Sequence, residues 1–211
     1  MDHNKLIAKN AKETLKPLGF VRSGKSRIWF KDNGWWAVLI EFQPSSFSKG
    51  TYVNIAVNHF LYESSGWTFH ISKRLSPFAD AQTDDFESTL ESMVSQAAAV
   101  AQELQNKFSS VEAFFDYYQS MEQHTIWNSL YAGIFSALLG NTKKAKESFQ
   151  IICDDVYSMG WELAIQSRAQ DLMFLLQDEK AFINSLHGTI LRSRSMMGLE
   201  TANGNLVKLP E

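Results

Sequence analysis

The sequence predicts an α+β protein: an N-terminal helix and an antiparallel meander sheet, followed by an all-helical hairpin region. Three observations carry that prediction. Apolar residues recur at helical spacing through residues 7–18. Residues 27–62 form β-rich runs broken by Asp-Asn-Gly and by a serine-rich link, as hairpin strands are. From Asp84 onward, good helix formers dominate.

The elements follow in order. Ile7, Ala11, Thr14 or Leu15, and Leu18 recur at helical spacing in the first helix, with lysines on the other face, and Asp2 or Asn4 is placed to cap its start. Pro17 should push Lys16 out of the helical region, and Gly19 follows, so the helix should stop near Leu15 or Lys16. "RIWF", the turn "DNG" and "WWAVLIEFQ" predict a hairpin, and "TYVNIAVNHFLY" predicts a third strand. In that strand Val53, Ile55 and Val57 alternate with Tyr52, Asn54, Ala56 and Asn58, giving one dry and one semi-polar face. "WTFHIS" is a candidate fourth strand. Helices are predicted over 84–108, 110–120 (capped by Ser109 or Ser110), 122–139, 142–157, 161–177 and 179–195, before a loosely held tail from Gly198. The domain division expected is 1–120 for the α+β part and 121–211 for the helical extension.

The stretch "YAGIFSALLGNTKKAKESFQIIC" resembles a helical hairpin of tetratricopeptide type. Ala132 and Gly133 would let two helices approach closely, Gly140-Asn141 would make the turn, and Ala145 with Phe149 would fill the partner face. Fewer than three such units are present, which excludes an extended solenoid.

Of the 211 residues, 45% are hydrophobic and 20% charged, as in ordinary globular proteins. The single cysteine, Cys153, cannot form an internal disulfide. The N-terminus lacks a secretory apolar core, and no apolar run approaches the ~20 residues of a membrane span. A cytoplasmic protein with no membrane partner is expected. The net charge of -3 conceals an asymmetry: residues 1–75 carry 11 Lys and Arg against 5 Asp and Glu, and residues 76–211 carry 9 against 18. A basic half could meet nucleic acid or an acidic protein. The cations are scattered, however, which favours ordinary solvated surfaces.

"GFVRSGKS", Gly19 to Ser26, fits the phosphate-loop pattern at every fixed position. Such a loop needs a strand entering and a helix leaving, so that amides and helix dipole point at the phosphates. Here a helix enters and a strand leaves, so neither nucleotide nor any other cofactor is expected. The histidines His3, His59, His70, His124 and His187 show no metal-ligand spacing, and no metal is expected. Asp154 and Asp155 should raise the Cys153 thiol pKa, which disfavours a nucleophile. Adjacent carboxylates such as Asp84-Asp85 do not face each other on a helix and make no acid–base dyad.

The semi-polar sheet face remains. If the meander pairs as proposed, Arg27, Trp29, Trp35, Glu41, Gln43, Tyr52, Asn54 and Asn58 could project together, a mixture suited to a peptide or a polar small molecule. The alternative is that a helix covers this face, with Trp29, Trp35 and Leu39 in its core.

The segments Gly19-Phe20, Trp29-Phe30, Phe42-Gln43 with Ser45 or Ser46, and Tyr52-Val53-Asn54-Ile55 resemble those of domain of unknown function 4304, over roughly residues 1–120. "SKRL", Ser72 to Leu75, is similar to a basic motif of that family. The resemblance implies an α+β fold and brings no catalytic residues, because the family has no established activity. The function expected is a non-catalytic module binding a protein or a small polar ligand through the sheet face or a helical groove. Gln43, Ser45, Asn54, Asn58 and Trp35 are its candidate ligand contacts. Two rivals are a small hydrolase using Glu41 with His59, and nucleic-acid binding by the basic half.

Overall fold

The structure, a computed structural model, describes residues 2–122 and 125–199. They form two compact units, residues 2–106 with 193–199, and residues 107–192. His124 and all of the predicted tail beyond Leu199 lie outside the described residues.

The first unit opens with α1 (His3–Leu15), whose Asp2 cap accepts the Asn4 N–H at 2.9 Å. Leu6, Ile7, Ala11 and Leu15 are buried and the lysines exposed, as the helical spacing requires. A 3-10 turn over Lys16–Leu18 follows, and Lys16 keeps right-handed helical dihedrals (φ -62°, ψ -42°) although it precedes Pro17, against the sequence expectation. Six strands follow: β1 (Val21–Arg22), β2 (Ile28–Asp32), β3 (Trp36–Gln43), β4 (Gly50–His59), β5 (Ile71–Arg74) and β6 (Ala79–Asp80). The sheet runs β1-β2-β3-β4-β5, antiparallel throughout, with β6 paired to the start of β4. Helix α2 (Phe86–Lys107) completes this stretch.

Strand pairing places Val38, Ile40, Phe42, Val53, Ile55 and Val57 on one face, each 0–2% exposed. Full burial of such side chains contributes about 1.5–3 kcal/mol apiece, which makes this face the core of the unit. The fourth strand differs from the sequence prediction: it spans Ile71–Arg74 and overlaps "WTFHIS" only at Ile71 and Ser72. Upstream, the Thr68 N–H donates to Asn58 Oδ1 (2.8 Å), and the Trp67 ring packs at 4.7 Å from Phe30. These contacts hold Trp67 and Thr68 as a strap. Strands β1 and β6 were also not foreseen, because two residues are too few to show a period.

A long-range ion pair closes the first unit. Arg194 is 2% exposed, and its guanidinium grips both carboxylate oxygens of Asp32 at 2.7 Å, the Gly34 carbonyl at 2.8 Å, and lies over the Phe60 ring.

The second unit is helical: α3 (Val111–Gln119), α4 (Ile126–Leu138), α5 (Thr142–Asp154), α6 (Gly160–Leu175) and α7 (Glu179–Met196), the last turn of α7 belonging to the first unit. Ser110 caps α3 and Thr125 caps α4. Phe108, Phe114 and Phe135 stack in series at 4.4 and 5.2 Å. The α4–α5 hairpin forms as its sequence indicates, with Asn141 capping α5. The Gln166 amide then donates to the carbonyls of Ile152, Cys153 and Asp155, satisfying the open C-terminal end of α5 from α6.

At Gly133 an added Cβ would lie 2.4 Å from the Phe149 ring, so only glycine permits this helix approach. The overlap should cost about 1–3 kcal/mol, against the ~1 kcal/mol that alanine gains in helix propensity. Gly133→Ala therefore lowers the urea midpoint, and its effect is smaller in a Phe149→Leu background. At the ion pair, Asp32→Ala strands the buried guanidinium and should lose about 3 kcal/mol by urea unfolding. Arg194→Met costs less, because the carboxylate left behind is 30% exposed and stays hydrated.

Candidate functional site

The second face of the sheet changes character along its length. Toward the β2–β3 turn, Ala37, Leu39, Ala56 and Asn58 are buried, and Trp67 covers Phe30 and Phe60. Toward the β3–β4 connection, Glu41, Gln43, Tyr52 and Asn54 are half-buried and Arg74 is exposed. The register pairs Gln43 with Tyr52, Glu41 with Asn54, and Asn54 with Arg74, which puts all five on one side of the sheet.

There they form a bonded cluster. Asn54 Nδ2 donates to Glu41 Oε2 and to Gln43 Oε1, both at 2.9 Å. Arg74 donates from Nη2 to Gln43 Oε1 at 2.8 Å and from Nε to Asn54 Oδ1 at 3.3 Å. Its guanidinium carbon stands 4.2 Å from the centre of the Tyr52 ring, which flanks Phe78. The cluster holds a carboxylate at one end, a guanidinium at the other and two amides between them. It therefore offers hydrogen-bond donors and acceptors within one side-chain length. The connection leaving Gln43 carries Ser45, whose Oγ accepts the Phe47 N–H at 3.1 Å, and Phe47 itself, 96% exposed.

Of the residues singled out in the sequence, Gln43 and Asn54 are therefore brought together, and Ser45 shapes the adjoining connection. Asn58 and Trp35 have different surroundings. Asn58 is 2% exposed and holds the Trp67–Thr68 strap, and Trp35 is 7% exposed and stacks on His59. Arg27 and Trp29 belong to the opposite sheet face. Arg27 donates to Asn4 Oδ1 and to the Phe42 and Gly50 carbonyls, and burial lowers its pKa, with Arg22 adding to the effect. Glu41 and His59 also lie on opposite faces, since pairing partners of opposite parity carry them. Arg74 was not among the sequence candidates. Its signal was the short "SKRL" stretch, whose side-chain direction depends on a register the sequence does not display.

The Gly-Lys-Ser turn joins β1 to β2 of an antiparallel pair. The helix predicted to enter it is followed by the 3-10 turn and β1, and the chain leaves it as strand β2. Ser26 N–H donates within the turn to Ser23 O (3.0 Å), and Ile28 N–H just beyond it donates to Ser26 Oγ (3.2 Å). Arg22 donates to the carbonyls of Ser26 and Lys25 at 2.6 and 3.0 Å, so the turn is held from its carbonyl side. Burial, and then Asp154, push the Cys153 thiol pKa up. Among the described residues no group of three His, Cys, Asp or Glu converges as a metal site.

His59 and His70 stack at 5.4 Å, and the His59 backbone N–H donates to His70 Nδ1 at 3.0 Å. Burial holds His59 well below its ordinary pKa, with His70 adding to the effect, and burial lowers His70 to about 3.

Residues 11–127 match the sequence model of a domain of unknown function, DUF4304, and the chain belongs to that family. No curated protein and no solved structure matches it. No helix among the described residues is long and apolar enough to cross a membrane.

In the unfolded chain both imidazoles protonate below about pH 6.5, whereas in the folded protein they stay neutral. Stability should therefore fall as pH drops from about 6.5 toward 3, by up to about 1.4 kcal/mol per pH unit for each histidine. His70→Asn keeps an acceptor for the His59 N–H and should make the decline shallower, measured by urea unfolding between pH 7 and about 4.

Proposed function

We propose that this DUF4304 member is a non-catalytic binding module that takes a polar ligand, an amide or a zwitterion, on the Glu41–Gln43–Tyr52–Asn54–Arg74 face of its sheet. One observation carries the reading. Three short stretches through which the chain resembles its family, Phe42-Gln43, Tyr52-Val53-Asn54 and Ser72-Lys73-Arg74, contribute Gln43, Tyr52, Asn54 and Arg74 to a single bonded cluster. The cluster lies half-open on strands rather than on a mobile loop, so its donors and acceptors are already oriented before a ligand arrives. A ligand carrying both an acceptor and a donor would answer the guanidinium with one and the carboxylate with the other. Phe47, exposed on the connection that leaves Gln43, suits a ligand or peptide with a non-polar part. A protein partner presenting such a segment in a cytoplasmic setting fits the same chemistry.

The test is a titration of isotope-labelled protein with free amino acids, dipeptides and N-acetylated amides, followed by amide chemical shifts. Shifts should concentrate at residues 41–43, 52–54 and 72–74. Arg74→Ala and Asn54→Ala should each weaken binding about tenfold, the loss of one charge-assisted hydrogen bond. Equal affinity in the variants, or shifts confined to other surfaces, would remove the cluster from consideration.

A further inference from the structure

An open groove of about 1230 Å³ runs between α1 and β1 on the first unit, away from the sheet-face cluster. Lys5, Lys9, Lys12 and Lys16 line it from the helix side and Arg22 from the strand side, all exposed, against one carboxylate, Glu13. The lysine spacing follows one face of a helix, and at ~1.5 Å per residue the stripe is about 16 Å long. Ala8, Val21 and Trp29 supply an apolar floor, and Val21 is 58% exposed.

The backbone beside the groove is also open. Ser23 N–H donates to Ile28 O, so the hydrogen-bonded pairs of the β1–β2 ladder are Ser23 with Ile28 and Val21 with Phe30. Arg22 lies at the intervening non-bonded position, where an antiparallel strand turns its N–H and C=O away from its neighbour. Among the described residues, β1 is the outer strand of the sheet on that side.

We propose that this groove is a docking site for an acidic peptide segment in extended conformation, its backbone paired with Arg22 and its carboxylates on the lysine stripe of α1. Charge selects the partner: among the described residues, five cations face one anion. Three features favour a peptide over nucleic acid. The aromatic side chains at the groove, Phe20 and Trp29, are 3% and 6% exposed, so no ring stands free to stack on a base. The free edge offers a main-chain donor and acceptor side by side, which an extended peptide matches as an added strand. A strand of about five residues spans the length of the lysine stripe, and its period of two puts acidic side chains on one side and apolar ones on the other.

The probe is a fluorescein-labelled peptide of about ten residues alternating Glu and Val, with its Gln-for-Glu analogue, an N-methylated form and an oligothymidylate of equal charge as comparators. Fluorescence anisotropy on the full chain should show binding that weakens between low and ~150 mM salt. The Gln analogue and the N-methylated peptide should both bind less tightly. Lys9→Glu with Lys12→Glu, two exposed positions that leave the thermal midpoint near that of the parent, should lose about tenfold in affinity. Arg74→Ala should leave it unchanged, which separates this site from the sheet-face cluster. The proposal is overturned if the oligothymidylate binds more tightly than the peptide, if N-methylation has no effect, or if the double lysine variant binds as the parent does.

Discussion

The pairing of β3 with β4 is the constraint from which the first unit follows. Eight residues of each strand are in register, from Trp36 with His59 to Gln43 with Tyr52. A slip by one position would turn Val38, Ile40 and Phe42 to the other side and bring Glu41 and Gln43 onto the buried face. Three buried apolar side chains at about 1.5–3 kcal/mol each oppose that exchange, before the cost of burying a carboxylate is counted. The dry face thus decides the register, and the register in turn assembles the polar cluster on the other side. Gln43 and Asn54 meet because Val38, Ile40, Val53 and Ile55 had to be buried.

Polar side chains in this unit fall into two groups by what surrounds them. Those near the β2–β3 turn are buried or half-buried and tie separate segments together: Asn58 anchors the Thr68 amide, His70 receives the His59 amide, and Arg194 clasps the Asp32 turn. Each satisfies a group that would otherwise be desolvated without a partner. Those near the β3–β4 connection bond to one another at a half-exposed surface. The first group stabilises, and the second is left facing solvent with its geometry already set.

The first unit therefore presents two surfaces of different electrostatic kind. The sheet-face cluster sets one carboxylate against one guanidinium, with amides between them. The groove beside α1 is cationic over a longer stretch and has an apolar floor. Attraction there reaches further and is more readily screened by salt. The two surfaces lie apart, one on β3–β5 and the other on α1 and β1, and share no residue.

Local features of the chain were legible from its residues alone. The first helix with a cap at Asp2 or Asn4, the Asp-Asn-Gly hairpin, the alternation in β4, and the Gly140-Asn141 turn of the α4–α5 hairpin all arise from neighbours a few positions apart. Helical and extended periods, and the chemistry of turns, act over that distance. The partners of those elements were decided by tertiary structure. Nothing local marks Arg74 as the neighbour of Gln43, sets Glu41 and His59 on opposite faces, or joins Arg194 to Asp32, 162 residues away. Such relations depend on strand register and chain return, which the burial of many side chains fixes together and no short stretch encodes.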